Sequence, residues 1–242
     1  MAKLCAIVGA GEGLGSALAA RFASGGFDLA LISRSPDASA SAIEAARAAR
    51  PDARIRHTAA DAREPEGLEA ALGTVAAEMG EIDVLIYNVR GAFTPSAPLD
   101  LSYDALEQTL RLEVIGAFAA AKAVLPAMRA RGTGMIFFSS ATAAFRGSAR
   151  FAHYAVGKFA LRGLSQSLAK AYGPEGVHVA HMRLDCDLDV PVMRALYGDA
   201  CDRAKLAQPA DVAQTYWLTY QQPKGAWSNE VEIRPATETW TY

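Results

Sequence analysis

The sequence predicts an α/β fold in which a doubly wound parallel seven-stranded sheet carries helices on both faces, a three-layer sandwich built as one domain over residues 1–242. Three observations predict it. Short apolar runs alternate along the whole chain with longer segments of helical period. Runs such as Ala6-Ile7-Val8 and Val84-Leu85-Ile86 lack apolar/polar alternation, which means strands covered on both faces. A glycine-rich turn follows the first run at once.

The strands are expected at about 3–8, 27–33, 54–59, 82–87, 134–139, 177–184 and 230–233. Between them, the alanine-rich stretch 38–49 is a strong helix former, and longer helices are expected over about 102–131 and 152–172. The least regular stretch, about 185–209, follows a strand and carries Pro191, Gly198 and Pro209, so it is the candidate for a lid over a site at the strand ends. No repeat or Pro/Gly/Ser-rich linker marks a domain boundary.

Composition narrows the class of partner. With 51% hydrophobic residues, 21% charged residues and a formal net charge of −2, the chain has the make-up of a globular protein, without the basic tract that nucleic acid or an anionic membrane would attract. The run Leu4–Val8 is too short for a signal-peptide core, and no window approaches the ~18 apolar residues of a membrane span. Cys5, Cys186 and Cys201 are far apart and form no CxxC pair, which fits a reducing compartment and a cytoplasmic location. Small molecules and other copies of the chain are the expected partners.

The glycine loop offers a phosphate cradle. Gly9, Gly13 and Gly15 give GxxxGxG, with Glu12 and Leu14 between them; such a turn lets backbone approach a pyrophosphate whose charge meets the N–H groups of the following helix. A tight turn without ligand is the alternative. The second strand ends at Arg34, a guanidinium suited to a 2′-phosphate, which favours NADP over NAD unless Arg34 is only a solvated charge. Glu12, read as lying beside the same ribose, argues the other way.

A second motif supplies proton chemistry. In Tyr154-Ala-Val-Gly-Lys158 the i, i+4 spacing places both side chains on one helix face, where an ammonium is expected to lower the phenol pKa toward neutrality. The spacing also arises by chance, so its context decides.

That context resembles the short-chain dehydrogenase/reductase superfamily over nearly the whole chain. The likeness rests on GxxxGxG at Gly9–Gly15, Asp61 after the third strand, Tyr87-Asn88 ending the fourth, Ser139-Ser140 ending the fifth, and YxxxK at 154–158. It implies a Rossmann-type fold and an NAD(P)-dependent oxidoreductase acting on a carbonyl or secondary alcohol. Tyr154 would be the acid/base, Lys158 would hold the nicotinamide ribose, and Ser140 would orient the substrate carbonyl. Asp61, with Ala62, would contact adenine, and Asn88 would support the cofactor. It further implies a homotetramer or homodimer assembled through the helices at about 102–131 and 152–172.

Several positions depart from the family pattern. The place of the usual serine is Ala141, so Ser140 would need a one-residue bulge to reach, or else Ser139 and Ser140 merely finish a strand. Glu113 replaces an asparagine of the proton relay; it could relay protons itself or be a helix-surface charge. Arg90 stands where a glycine is expected, Asp185-Cys186 replace a proline-glycine pair, and Val190 replaces a threonine. Asp185, Asp187 and Asp189 resemble a calcium loop, but Val190 and Leu196 occupy its required glycine and glutamate places, and His178 and His181 face opposite ways along a strand, so no metal is expected. Glu113 and these aspartates would make the pocket rim acidic, suiting a substrate with a basic or donor group. A catalytically weak dinucleotide-binding sensor is the competing reading. An interaction module would rest only on Trp217, Trp227, Trp240 and Tyr242.

Overall fold

In the computed structural model, residues 2–91 and 93–237 are described; Trp240 and Tyr242 lie outside them. Seven strands form one parallel sheet: β1 Leu4–Val8, β2 Asp28–Ser33, β3 Ile55–Ala59, β4 Ile82–Tyr87, β5 Gly134–Ala141, β6 Val177–Leu184 and β7 Glu230–Ile233, in the order β3-β2-β1-β4-β5-β6-β7. The sheet reverses its winding between β1 and β4. Ligands of such folds bind at the carboxyl ends of the strands beside that switch point.

The period of two along each strand sorts side chains into two cores. On one face Cys5, Ile7, Leu31 and Phe137 pack with Phe22 of α1 (Leu14–Ser24) and Tyr216 of α8 (Pro209–Tyr220), next to α2 (Ala40–Ala49). On the other, Leu4, Ala6, Val8 and Phe138 pack with Leu68 of α3 (Pro65–Met79), Leu125 of α5 (Gly116–Arg131) and Leu161 of α6 (Ala152–Tyr172). The unalternating strands thus arise from burial on both sides. The two edge strands escape it, β3 with exposed Arg56 and β7 with exposed Glu230 and Glu232.

One expected helix is two. The stretch read as continuous over 102–131 consists of α4 (Tyr103–Leu110), a π turn Arg111–Ile115 and α5. A π turn frees a carbonyl from the helical ladder, and here the Tyr87 hydroxyl donates to Leu112 O. The irregular stretch at 185–209 also contains a helix, α7 (Pro191–Tyr197).

The C-terminal aromatics within the described residues serve the interior. Trp217 packs edge-on against Phe22, with ring centroids 5.5 Å apart, and Trp227 stacks on His178 at 4.6 Å. Those contacts account for both rings without an interaction module. Among the described residues, no helix is long and apolar enough to cross a membrane.

Candidate active site

The glycine loop joins the end of β1 to α1 directly over the switch point. Gly9 has φ +83°, and a Cβ there would stand 2.5 Å from Asn88 O, so the loop closes only because this residue lacks a side chain. Asn88, just past β4, donates from Nδ2 to Gly9 O at 3.2 Å and locks the two strand ends together. Leu14 and Gly15 open α1 and are buried, whereas Glu12 is exposed.

Two cavities meet here. One, of about 540 Å³, is lined by Gly9, Gly11, Arg34, Asp61 and Ala62. The other, of about 320 Å³, is lined by Gly9, Glu12, Leu14, Ser140, Tyr154 and Lys158. Asn88, Val89 and Arg90 line both. Glu12 lines the cavity on the tyrosine side, whereas Arg34 lines the other, so the two do not share a cavity as the one-ribose reading expected. Asp61 is gripped by Arg63, whose Nη2 lies 2.7 Å from Oδ2, and this contact, with help from Arg34, holds its carboxyl below the usual range.

The fifth strand keeps an unbroken register with β6, Ser139 opposite Met182, Ser140 opposite Arg183 and Ala141 opposite Leu184, so the expected bulge is absent. None is needed. Ser139 shares a hydrogen bond of 2.8 Å with the Tyr216 hydroxyl on the α8 side, which by alternation turns Ser140 to the α6 side, the side of Tyr154 and Lys158. Ser140 Oγ is buried and, among the described residues, has no hydrogen-bond partner.

Tyr154 and Lys158 project from α6 as the spacing requires, with Nζ 5.7 Å from the Tyr154 ring centroid. Lys158 is enclosed; its ammonium donates to Ser139 O at 3.1 Å and lies 2.7 Å from Glu113 Oε2. Glu113 is fully buried, not a helix-surface charge, and its Oε1 accepts from Gly91 N–H at 3.0 Å. Gly157 makes this packing feasible: a Cβ there would meet Thr109 Cγ2 at 2.9 Å and Glu113 Cγ at 3.1 Å. Sequence reasoning passed over Gly157, although a glycine inside a helix is a signal of close approach.

Electrostatics overturn one expectation. Burial pushes the Tyr154 phenol up, and Glu113 adds to that push; Lys158 and Arg90 oppose it without reversing it. Burial alone would lower Lys158, but Glu113 and the phenol raise it above its ordinary value. The ammonium thus has its own counter-ion, and Glu113 opposes its effect on the phenol.

The acidic rim is reduced to one of its three aspartates. Asp185 pairs with Arg234 and accepts from Thr142; Asp187 accepts from the Tyr197 hydroxyl. Asp189 is enclosed by Arg194 at 2.5 Å, Arg203 at 2.8 Å and Gln208 at 3.0 Å; Arg203 foremost holds its carboxyl far below the usual range. Asp185 and Asp189 thus anchor the 185–209 segment, and of the three aspartates only Asp187 lines the cavity beside Tyr154. Val190 from that segment reaches the glycine loop, its Cγ1 2.7 Å from where a Cβ on Gly13 would lie.

The family model for short chain dehydrogenases matches residues 3–185. Levodione reductase from Leifsonia aquatica is 30% identical over 185 residues, spanning 73% of this chain and 66% of that protein, slightly less than two thirds of its length. A short-chain dehydrogenase from Rhodopseudomonas palustris superposes with a TM-score of 0.81 at 33% identity, covering 96% of this chain and 98% of that one. L-sorbose reductase from Gluconobacter frateurii, solved with NADPH and L-sorbose, shares the fold at a TM-score of 0.84 and 23% identity, covering 97% and 95% of the two chains. By its sheet order, its glycine loop and these likenesses, the chain belongs to the short-chain dehydrogenase family.

Proposed function

We propose that the protein is an oxidoreductase that exchanges a hydride between NADP(H) and a small-molecule carbonyl or secondary alcohol, with Tyr154 as the acid/base. The observation that carries this reading is the buried, unpartnered Ser140 Oγ on the same face as Tyr154 and Lys158, in a cavity continuous with the glycine loop. A buried hydroxyl without a partner is costly, and an oxygen of a substrate would satisfy it.

The residues suit a dinucleotide. Gly9, Gly13 and Gly15, with Glu12 and Leu14, would bring backbone to the phosphates at the α1 N-terminus. Arg34 would meet a 2′-phosphate, Asp61 and Ala62 would border adenine, and Asn88 would hold the floor of the site. Lys158 lines the cavity and would meet the nicotinamide ribose beside Tyr154. Relatives of this fold solved with NADP or NADPH support the choice over NAD. When bound, the nicotinamide supplies the hydride acceptor or donor. In reduction, the Tyr154 hydroxyl gives its proton to the carbonyl oxygen while Ser140 Oγ–H donates a hydrogen bond to the same oxygen; oxidation reverses both. Glu113 would serve as counter-ion and proton-relay carboxylate for Lys158.

Assembly as a homodimer or homotetramer fits the exposed Tyr103, Phe118, Val156 and Phe159 on α4, α5 and α6. Cys5, Cys186 and Cys201 form no disulfide among the described residues, which fits a cytoplasmic setting.

A second reading, dinucleotide binding without turnover, draws support from the upward-shifted phenol and from Val190 against the glycine loop. Fluorescence titration of NADPH and NADH, followed by a screen of carbonyl compounds, separates the two. We expect tighter binding of NADPH, and turnover reduced by roughly 10²–10⁴-fold in Tyr154→Phe. Binding with no turnover that responds to Tyr154→Phe sustains the second reading.

A further inference from the structure

Two departures from the family pattern meet in space. Glu113 stands where an uncharged side chain is expected and takes the charge of Lys158 at 2.7 Å, both groups enclosed. Arg90 stands where no side chain is expected and brings a charge of the opposite sign. They are physically joined, because the Glu113 carboxylate is held by the N–H of Gly91, the residue after Arg90. A change at one end of this short connection is felt at the other.

The guanidinium is placed to act on Tyr154. Arg90 Cζ lies 6.0 Å from the Phe93 ring centroid, within cation–π range. Phe93 in turn stacks on Phe151 at 4.2 Å and meets Tyr154 edge-on at 5.3 Å with an interplanar angle of 80°. Arg90 also lines both cavities at their junction, and among the described residues no carboxylate forms an ion pair with it. The charged groups acting on the phenol are Lys158 from α6, Glu113 from the π turn and Arg90 from the loop after β4, while Glu12, Asp187 and Cys186 line the same cavity. With Glu113 paired to Lys158, Arg90 is the second cation acting on the phenol.

We infer that Arg90 and Glu113 form a charge-compensating pair, in which the Arg90 guanidinium, as a positioning residue, restores at the Tyr154 phenol the positive field that Glu113 removes from Lys158. The direction of each group's action agrees: Arg90 and Lys158 draw the phenol down, Glu113 pushes it up. Summed over Lys158, Glu113 and Arg90, the charge is then the single positive charge that a lysine beside a neutral relay would give. This inference rests on Tyr154 being the proton donor of the proposed reaction.

The test reads the phenol directly. Ultraviolet difference absorbance, each protein against its own Tyr154→Phe counterpart, follows phenolate formation with pH without cofactor or substrate. Glu113→Gln is expected to lower the midpoint, and adding Arg90→Gln to that variant to raise it again by roughly half a pH unit to one pH unit. Arg90→Lys in the same background should hold the lower midpoint. Fluorescence titration with NADPH is run in parallel. An Arg90→Gln change that leaves the midpoint fixed overturns the inference; if it also weakens NADPH binding, Arg90 grips a phosphate. Turnover that survives Tyr154→Phe sinks the acid/base assignment instead, and the absorbance result still reads the pair.

Discussion

Glu113 under the tyrosine and Asp189 in the 185–209 segment are equally hidden, each side chain with 0% of its surface exposed, yet they are neutralised in opposite ways. Glu113 meets one ammonium that is itself enclosed, 2% exposed, so the whole ion pair is withdrawn from water. Asp189 is reached by two guanidinia that remain 43% and 63% exposed, so only the carboxylate is desolvated while the cations keep their hydration. The first arrangement fixes charge beside the cavity that Tyr154 and Lys158 line. The second ties down a surface segment.

The largest effect is expected where both partners are buried. Glu113→Leu leaves the Lys158 ammonium enclosed without a counter-ion and the Gly91 N–H without its acceptor; the fold should lose about 3–5 kcal/mol, read as a lower urea midpoint. The same comparison predicts partial recovery in Glu113→Leu combined with Lys158→Met, because no charge then remains to be buried. A double variant as unstable as the single one would mean that packing around the π turn, rather than the ion pair, governs this region.

At Asp189 the cost should be local. Asp189→Asn removes the charge that Arg194 and Arg203 share, and limited proteolysis within 185–209 should rise several-fold while the global unfolding midpoint barely moves. The pH dependence has a definite sign. A carboxyl held below its unfolded value contributes stability that is complete above the unfolded pKa, about 3.9, and is lost only as pH falls through the depressed value. Resistance of this segment to pepsin should therefore persist below pH ~3.9 in the native chain and disappear there in Asp189→Asn. Equal cleavage of the two would break the contrast between the two carboxylates.

Local pattern made most of the fold legible. The strands fall within two residues of their expected bounds because a parallel sheet covered on both faces forces unbroken apolar runs, and the Tyr154/Lys158 face follows from helical spacing alone. Tertiary charge pairing was not legible. Asp185 and Asp189 looked like an acidic rim because Arg234 and Arg203, which meet them, lie 49 and 14 residues further along the chain. Reading Tyr154 beside Lys158 gave the wrong sign for the phenol, since nothing in the motif tells that the phenol itself is buried, or that Glu113 is buried against the same ammonium. The break at Arg111–Ile115 hid for a related reason: its carbonyl is caught by Tyr87, a strand residue whose ring reads only as apolar.

The smallest effect belongs to a pair that neither the sheet nor the site encloses. Arg162 on α6 lies 2.7 Å from Glu230 at the start of β7, and this contact foremost, with Gln166, lowers the Glu230 carboxyl to about 2 against the opposing effect of burial. Arg162 is 28% and Glu230 36% exposed, so water screens much of that interaction, and Arg162→Ala should cost only about 0.2–1 kcal/mol at neutral pH. The difference should vanish as acid protonates Glu230, between its unfolded value of about 4.3 and its folded value of about 2. Urea midpoints of the two proteins that converge over that interval place this contact with the screened guanidinium pairs of the surface. A gap that stays open at pH ~2 would instead mean that Arg162 acts through its packing and its bond to Ala144 O at 3.4 Å, and that exposure alone does not decide what an ion pair is worth here.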